Sequence, residues 1–301
     1  PVAPAGPSGQ ALRRNGLALG AGEIQGDALR YRPGQAMLFD ALLAAEGAAT
    51  FDEGFKKLRD RIRSFERVEP QDPPAGFRGT LRPYQRLGLG WLGFLREYGL
   101  GGCLADDMGL GKTVQLLAYL ASRRSGKGGA SLVVVPRSLL FNWKEEARRF
   151  TPDLRVIEHV GGGRVSRAEG FDGADLVLTT YGTLRRDAPF LKDVRFDCVV
   201  LDESQAIKNA GSATAKAARL LKGEQRLAMS GTPIENHLGE LWSLMEFLNP
   251  GLLGTAPVFR DAIKARDGED APSRTLLARA LRPFILRRTK EQVAPELPLR
   301  T

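Results

Sequence analysis

Short apolar runs that alternate with helical segments are the feature that most limits how this chain can fold. Six such runs lie between residues 101 and 231, and they read "GGCLAD", "SLVVVP", "LRVIEHV", "DLVLTTY", "FDCVVLDE" and "QRLAMSG". Strands of a parallel sheet have this character, because helices cover both faces of the sheet and neither face meets water. The sequence therefore predicts an α/β fold in which helices flank both faces of a parallel β-sheet.

The ends of these runs predict where a ligand would bind. A polar residue or a proline stands at the end of five of them, at Asp106, Pro136, Thr179, Asp202 and Ser230. Sheets of parallel strands bind ligands beyond the carboxyl ends of the strands, where loops from several strands meet. We expect the binding site at that edge of the sheet.

Composition limits the class of protein. The 301 residues are 43% hydrophobic and carry a net charge of +9, with a pI near 9.8. These values are typical of a globular chain, and the positive charge favours either a polyanionic partner or simple solubility. Cys103 and Cys198 lie in apolar runs without metal-ligand spacing, so we expect buried, reduced thiols in an intracellular protein. No apolar run approaches the length of about 20 residues that spans a bilayer.

Three regions are predicted along the chain. Residues 1–75 form an N-terminal extension, the end of an upstream domain, with an amphipathic helix at about 50–66 whose basic face is either solvated or turned to nucleic acid. A Pro- and Gly-rich segment then marks the boundary into a main domain over 76–290. Residues 291–301 begin a linker. The chain starts at Pro1 without a methionine, and we expect it to be a piece of a longer protein.

A glycine-rich turn with a lysine follows the first apolar run, in the stretch "LADDMGLGKTVQ". Between a strand and a helix, Gly109 and Gly111 would turn backbone N–H groups toward an anion. Lys112 would bring a charge to the β and γ phosphates, and Thr113 would offer a hydroxyl to Mg²⁺. Asp106 stands where the full P-loop pattern has a glycine, so this motif alone also fits a chance turn.

A second acidic motif supports the phosphate interpretation. The stretch "CVVLDESQ" places Asp202 and Glu203 directly after an apolar strand. A nucleotide hydrolase needs a carboxylate at a neighbouring strand end to hold the metal, together with a base or a group that orients water. An Asp-Glu pair alone would indicate a solvated strand end, but together with the P-loop it predicts a nucleotide site.

Seven blocks, in order over about residues 78–290, resemble a known family. They read "FRGTLRPYQRLGLGWL", "LADDMGLGKTVQ", "LVVVPRSLLFNWKEE", "LTTYGTLRRD", "VVLDESQAIKN", "LAMSGTPIENHLGELWSLMEFLNPGLLG" and "FILRRTK". The chain resembles the first RecA-like lobe of Swi/Snf-type ATP-dependent DNA translocases, the chromatin-remodelling branch of helicase superfamily two. Asp106 in place of the first P-loop glycine is typical of that branch. The resemblance implies a RecA-like P-loop lobe.

The resemblance also implies roles at the nucleotide. It assigns the adenine contact to Gln85, whose carboxamide offers a donor and an acceptor, although a surface glutamine is the alternative. Thr113 and Asp202 would hold Mg²⁺, Glu203 would orient or deprotonate the attacking water, and Gln205 would help to order the site. The implied catalytic residues are Lys112, Asp202, Glu203 and Gln205. The implied nucleotide-binding residues are Gln85, Asp107, Met108, Gly109, Leu110, Gly111, Lys112 and Thr113.

Two further segments are implied to serve coupling and DNA binding. Ser230, Gly231 and Thr232 resemble the block that links the nucleotide state to lobe movement, and they could also cap the helix from Leu238 to Leu248. In this family, loops at the same sheet edge hold the phosphates of DNA through contacts that carry no sequence information. The candidates are Arg137, Thr180 and Tyr181, through a guanidinium, a hydroxyl and a backbone N–H. Arg137 could instead be an ordinary surface charge.

Other aromatic and histidine residues add no further predicted site. Trp143 has apolar neighbours at helical spacings, which predicts a position in the core. Neither His159 nor His237 has neighbours at metal-ligand spacing, so the only metal expected is the Mg²⁺ of the nucleotide.

The resemblance implies half of a motor that acts as a DNA-dependent ATPase. The chain would bind ATP with Mg²⁺ and the backbone of double-stranded DNA, and efficient hydrolysis would require a second RecA-like lobe with its arginine finger. Two alternatives stay open: an RNA helicase or restriction-type motor of the same superfamily, and a nucleic-acid-binding module that does not hydrolyse ATP. A DNA-bound protein is a further candidate partner, whereas a membrane is not. A bacterial, nucleoid-associated cytoplasmic location is favoured over a nucleus, because no dense basic targeting run is present.

Overall fold

The structure is a computed structural model of the chain, and it describes residues 68–124, 129–231, 238–257, 259 and 281–293 together with three short N-terminal strands. The three N-terminal strands are β1 (Val2–Ala3), β2 (Glu23–Gln25) and β3 (Ala28–Arg30). They form an antiparallel sheet in the order β1-β3-β2. The helix predicted at 50–66 lies outside the described residues.

Seven parallel strands form the main sheet of the described chain. They are β4 (Gly102–Leu104), β5 (Ser131–Val135), β6 (Val156–His159), β7 (Leu176–Thr180), β8 (Arg195–Leu201), β9 (Lys222–Met229) and β10 (Ile285–Leu286). Their order across the sheet is β10-β4-β9-β8-β5-β7-β6, and every neighbouring pair is parallel. The predicted α/β fold is confirmed, because each of the six apolar runs contributes one strand.

The strand β10 was missed by the sequence pattern. It has two residues, which pair in parallel with Cys103 and Leu104 of β4 at the edge of the sheet. A run of this length shows no periodicity, so only its pairing with β4 defines it. As a result, the chain that follows Leu286 lies beside the loop after β4.

Helices cover both faces of the sheet. They are α1 (Pro83–Glu97), α2 (Lys112–Ser122), α3 (Leu140–Phe150), α4 (Tyr181–Leu191), α5 (Ala213–Leu220), α6 (Leu238–Leu248) and α7 (Lys290–Val293). The first three helices contact one another in succession, and so do α4, α5 and α6. These two layers lie on opposite faces, because right-handed crossovers first run from β4 toward β6 and then return to β10. None of the described helices combines the length and hydrophobicity needed to cross a membrane.

The core lies along the central strands and includes both thiols. Cys103 and Cys198 are fully buried free cysteines, as predicted. The chain joins this body before the predicted boundary at residue 76: Val68 packs against the core, and the backbone N–H of Gln71 donates to the carbonyl of Arg86 on α1 at 3.0 Å. The domain boundaries themselves stay a prediction.

Candidate functional site

The loop between β4 and α2 has the backbone geometry of a phosphate-binding turn. Gly109 and Gly111 have φ values of 87° and 71°, in the left-handed region that glycine adopts without strain. A Cβ on Gly111 would lie 2.6 Å from Nε2 of Gln85, so the close approach also requires glycine. Lys112 and Thr113 are the first residues of α2. A phosphate bound in this turn would therefore lie at the positive end of the α2 dipole.

Lys112 lies across this loop, next to the segment that follows β9. Its Nζ donates to the backbone carbonyls of Asp106 at 2.6 Å and Asp107 at 3.4 Å. A Cβ on Gly231 would lie 3.9 Å from that nitrogen and 3.1 Å from Cγ of Met108. Ser230 is buried, and its backbone N–H donates to the carbonyl of Leu104 at 3.2 Å. The structure thus places both predicted coupling residues that it describes against the P-loop.

Thr232, the third predicted coupling residue, lies outside the described residues. The side chain of Met108 is 69% exposed, although it is large and hydrophobic. Leu110, two residues further, is fully buried. The P-loop therefore has one side chain anchored in the core and one projecting into solvent.

Asp202 follows β8, and its carboxylate is held by two hydrogen bonds. Oδ2 accepts from the indole Nε1 of Trp143 at 2.8 Å, and Oδ1 accepts from the backbone N–H of Glu203 at 2.8 Å. The hydroxyl of Tyr181 donates to the backbone carbonyl of Asp202 at 2.6 Å. Burial and the charge of Glu203 raise the pKa of Asp202, while these two hydrogen bonds and, least of all, the charge of Lys112 act in the opposite direction. Strands β4 and β8 both pair with β9, so the P-loop and Asp202 lie at the same edge of the sheet.

Glu203 continues the site with an unusual backbone. Its φ is 47°, and it is the single non-glycine residue with positive φ in the described part of the chain. Such a conformation costs about 1–3 kcal/mol and is often found at functional sites. Oε2 of Glu203 accepts from Nε2 of Gln205 at 2.8 Å. The carboxylate predicted to orient water is therefore itself oriented by the predicted helper residue.

Asp106, the residue in place of the P-loop glycine, is the centre of a buried polar cluster. It is fully buried, and its Oδ1 accepts from Nε of Arg288 at 2.9 Å, while Oδ2 accepts from Nη2 of the same guanidinium. Nη2 also donates to Oε1 of Gln115 at 2.9 Å, and Nη1 donates to the backbone carbonyl of Tyr84. Sequence reasoning did not pair Asp106 with Arg288.

The backbone around Arg288 supports the P-loop as well. The N–H of Asp107 donates to the carbonyl of Arg288 at 3.0 Å. The N–H of Ala105 donates to the carbonyl of Leu286 at 2.7 Å. The N–H of Lys290 donates to Oδ2 of Asp107 at 3.1 Å. The segment after β10 therefore holds the loop from the side opposite to β9.

Gln85 lies between the start of α1 and the P-loop. Its Oε1 accepts from the backbone N–H of Arg82 at 2.8 Å, and its Nε2 donates to the carbonyl of Leu110 at 3.1 Å. The hydroxyl of Tyr84 donates to the same carbonyl at 3.1 Å. The amide thus binds the chain itself in this structure. An adenine contact by Gln85 stays a prediction, and it would require one of these bonds to exchange.

The three candidate DNA contacts lie at adjoining strand ends. Val135 pairs with Thr180, so the 3₁₀ turn at Arg137–Leu139 lies beside the start of α4. The side chain of Arg137 is exposed. The hydroxyl of Thr180 accepts from the N–H of Thr183 at 3.3 Å and caps α4, and that of Tyr181 is bound to Asp202. Of the three candidates, only Arg137 therefore has a side chain that is exposed for contact with a DNA phosphate. At Thr180 and Tyr181, the backbone at the start of α4 is the candidate contact.

Trp143 and His159 both lie in the interior of the protein. Trp143 is 1% exposed, so the predicted core position is confirmed, but its bond to Asp202 was not predicted. His159 is buried, and its Nε2 lies 2.9 Å from Oδ2 of Asp187. His237 lies outside the described residues. Within the described residues, no three His, Cys, Asp or Glu side chains are grouped as metal ligands.

Comparisons with known proteins agree on one family. The family model described as "SNF2-related domain" matches residues 84–301. The Bacillus subtilis protein named "Putative ATP-dependent helicase/translocase YwqA" is 44% identical over 255 residues, covering 81% of this chain and 28% of that protein. The "TATA-binding protein-associated factor MOT1" of Saccharomyces cerevisiae is 36% identical over 275 residues, covering 80% of this chain and 15% of that protein. The chain thus spans less than a third of the length of these relatives.

Solved structures show the same likeness. The "Sulfolobus solfataricus SWI2/SNF2 ATPase core in complex with dsDNA" matches with a TM-score of 0.68 and 40% identity, covering 77% of this chain and 48% of that chain. The "Sulfolobus solfataricus SWI2/SNF2 ATPase core domain" matches with a TM-score of 0.65 and 39% identity, covering 77% of this chain and 50% of that chain.

Proposed function

The chain belongs to the family of SNF2-related domains and contains the RecA-like lobe of a SWI2/SNF2 ATPase core, and from this premise we propose that it is the ATP-binding half of a double-stranded DNA translocase. The carrying observation is that Lys112, in the turn after β4, and Asp202, directly after β8, lie at the carboxyl ends of two strands that both pair with β9. Hydrolysis of a nucleotide requires these two groups at one site. ATP-dependent activity is also part of the name of the Bacillus subtilis relative.

Each residue of the site has a role in this proposal. Lys112 and the N–H groups of the P-loop hold the phosphates, and Thr113 and Asp202 hold Mg²⁺. A hydroxyl and a carboxylate are hard oxygen ligands of the kind that Mg²⁺ binds, so the donor set fits. When bound, Mg²⁺ neutralises charge on the phosphate oxygens. Glu203, held by Gln205, accepts the proton of the attacking water or orients that water.

Nucleic acid would bind at the neighbouring strand ends. The exposed guanidinium of Arg137 and the N-terminus of α4, at Tyr181, suit phosphate oxygens. Duplex DNA is the favoured partner because the similar Sulfolobus solfataricus core was solved with dsDNA. The net charge of +9 supports a polyanion without distinguishing DNA from RNA.

Removal of the P-loop charge tests the nucleotide site. We expect Lys112→Ala to weaken Mg-ATP binding by about 10–100-fold, because hydrogen bonds to charged groups contribute about 1.5–3 kcal/mol. Titration with a fluorescent ATP analogue measures the affinity, and thermal unfolding checks the fold. Lys216→Ala, at an exposed lysine of α5, is the control and should bind like the wild type. Equal affinity in a folded Lys112 variant would remove this lysine from the site.

Salt dependence tests the nucleic-acid surface. Binding to a fluorescent duplex should be weak, indifferent to sequence and steeply reduced by salt, because phosphate contacts release counterions. Arg137→Ala should reduce the salt slope by about one, whereas Arg148→Ala, at an exposed arginine later on α3, should not. Single-stranded DNA and RNA serve as competitors. Preference for RNA would favour the helicase alternative, and binding that persists at high salt would contradict a backbone contact.

A further inference from the structure

The tryptophans of this chain bind their indole N–H groups to two kinds of acceptor. Trp91 and Trp242 each donate to a backbone carbonyl, at 2.9 Å and 3.0 Å. Trp143 donates instead to a carboxylate oxygen of Asp202, at 2.8 Å. A buried indole N–H needs an acceptor, and a backbone carbonyl meets that need for Trp91 and Trp242. The choice of a functional carboxylate as acceptor therefore sets Trp143 apart.

The hydrogen bond from Trp143 determines which way the carboxylate faces. The backbone of Asp202 is held independently, because its N–H donates to the carbonyl of Val134 at 2.9 Å and its carbonyl accepts from the hydroxyl of Tyr181 at 2.6 Å. The side chain has one further partner at Oδ1, the N–H of Glu203 at 2.8 Å. Loss of the indole N–H would therefore leave the main chain in place and free Oδ2 to turn.

The position of Trp143 makes it a rigid donor. Its side chain is 1% exposed and lies in the hydrophobic core, on α3, so the ring has no room to follow a moving carboxylate. Donation to an ionised oxygen is roughly twice as strong as a neutral hydrogen bond. The carboxylate keeps further lone pairs on both oxygens for a cation. The indole N–H thus orients the Asp202 carboxylate and leaves lone pairs on its oxygens free to bind a cation.

We propose that Trp143 is a positioning residue of the metal site, whose indole N–H holds the carboxylate of Asp202 in the orientation that binds the Mg²⁺ of the nucleotide. The inference rests on the proposed function of the site as a Mg-ATP site. Trp143 acts through Asp202 and is not a catalytic residue. Donors that support a metal ligand in this way typically change metal affinity by about 10–100-fold when they are removed.

Trp143→Phe removes the N–H and keeps an aromatic ring in the core. A fluorescent, slowly hydrolysed ATP analogue is titrated in EDTA and at a series of MgCl₂ concentrations. We expect the affinity of the variant for the analogue in EDTA to stay within about twofold of the wild type. The Mg²⁺ concentration that gives half of the Mg²⁺-dependent gain in affinity should rise by about 10-fold or more. Trp91→Phe is the matched control, because Trp91 is 2% exposed and also loses an indole hydrogen bond. It should keep the Mg²⁺ requirement of the wild type.

The outcomes separate this inference from the function on which it rests. A wild type whose nucleotide binding does not depend on Mg²⁺ would overturn the proposed function itself. If the wild type depends on Mg²⁺ and folded Trp143→Phe needs no more Mg²⁺ than Trp91→Phe, only the inference is overturned. An equal rise in both variants would also overturn it, since a general loss of packing would then explain the result.

A measurement on the wild type covers the case in which Trp143→Phe does not fold. The indole N–H resonances of ¹⁵N-tryptophan are recorded, and Trp91→Phe and Trp242→Phe assign the remaining peak to Trp143. We expect the analogue with Mg²⁺ to move this peak relative to the analogue in EDTA, because the cation withdraws charge from the acceptor oxygen. The other two indole peaks should stay in place. A Trp143 indole N–H peak whose chemical shift does not change with Mg²⁺ would overturn the inference.

Discussion

Asp106 stands where the P-loop pattern has glycine, and at the scale of single residues its partner explains why a carboxylate is stable there. Asp106 is fully buried, and the side chain of Arg288 that binds it is 11% exposed. A buried ion pair adds little net stability over apolar residues of the same shape, but loss of one partner leaves an unpaired charge. The pair therefore makes the loop after β4 depend on a residue far along the chain.

Breaking this pair from one side should be far more harmful than neutralising both sides. We expect Arg288→Met to lower the free energy of unfolding by about 3 kcal/mol, because Asp106 is left buried without its cation. The double variant Arg288→Met with Asp106→Asn should recover a large part of this loss. Urea unfolding measures both. Arg167→Met, at an exposed arginine, should stay within about 0.5 kcal/mol of the wild type. A double variant less stable than either single one would contradict the ion-pair account.

At the scale of secondary-structure elements, the glycines of helix α1 are explained in part by residues 68–71, which pack against it. Glycine weakens a helix, yet α1 contains Gly88, Gly90 and Gly93. A Cβ on Gly90 would lie 2.0 Å from the backbone carbonyl oxygen of Glu69, whereas one on Gly93 would lie 3.1 Å from the flexible amide of Gln71. The segment from Val68 therefore packs closely on one face of α1, and only Gly90 is required by a backbone contact.

Gly90 and Gly93 should respond in opposite ways to replacement by alanine. Gly90→Ala forces the helix and the segment at Glu69 apart, and overpacking of this kind costs about 1–3 kcal/mol. Gly93→Ala should be neutral or stabilising by up to about 1 kcal/mol, since alanine favours the helix and the amide of Gln71 can move. Thermal and urea unfolding compare the two variants. A loss of equal size in both would mean that the segment at 68–71 does not pack as described.

At the scale of the whole molecule, the chain covers 48% of the similar SWI2/SNF2 core and should behave as one lobe of a motor. An arginine finger raises hydrolysis by about 10³–10⁵-fold, and the resemblance to Swi/Snf-type translocases implies that the finger belongs to a second lobe. Arg288 is no substitute, because its guanidinium is bound to Asp106, Gln115 and the carbonyl of Tyr84. Residues 1–301 should therefore bind ATP and hydrolyse it very slowly.

Turnover assays test this expectation directly. ATP hydrolysis by residues 1–301 is compared, with and without duplex DNA, with hydrolysis by a chain extended through a second lobe. DNA should stimulate the longer chain alone, because in the proposed mechanism DNA acts by aligning two lobes. Glu203→Gln serves as the background control. A short chain that matches the long one and responds to DNA would contradict the two-lobe mechanism.

Local patterns were sufficient to predict most of the fold. The six apolar runs and the helix Leu238–Leu248 appear as strands and a helix, because hydrophobic periodicity reports how each segment meets its neighbours. The strand Ile285–Leu286 was too short for such a pattern. The P-loop and Asp202 also lie at one sheet edge as expected, since parallel strands bring their carboxyl ends together.

By itself, the sequence determined six strands of the main sheet, its parallel α/β character, the helix Leu238–Leu248 and the residue types at the candidate nucleotide site. Only the tertiary structure decided which distant residues hold that site in shape. Arg288 lies 182 positions from Asp106, and Trp143 lies 59 positions from Asp202. No spacing rule links residues so far apart, because their contact depends on strand order and on how α3 and β10 pack. Local sequence motifs therefore predict the ligand, Mg-ATP. Tertiary packing decides which distant side chains hold the ligand-binding groups in place.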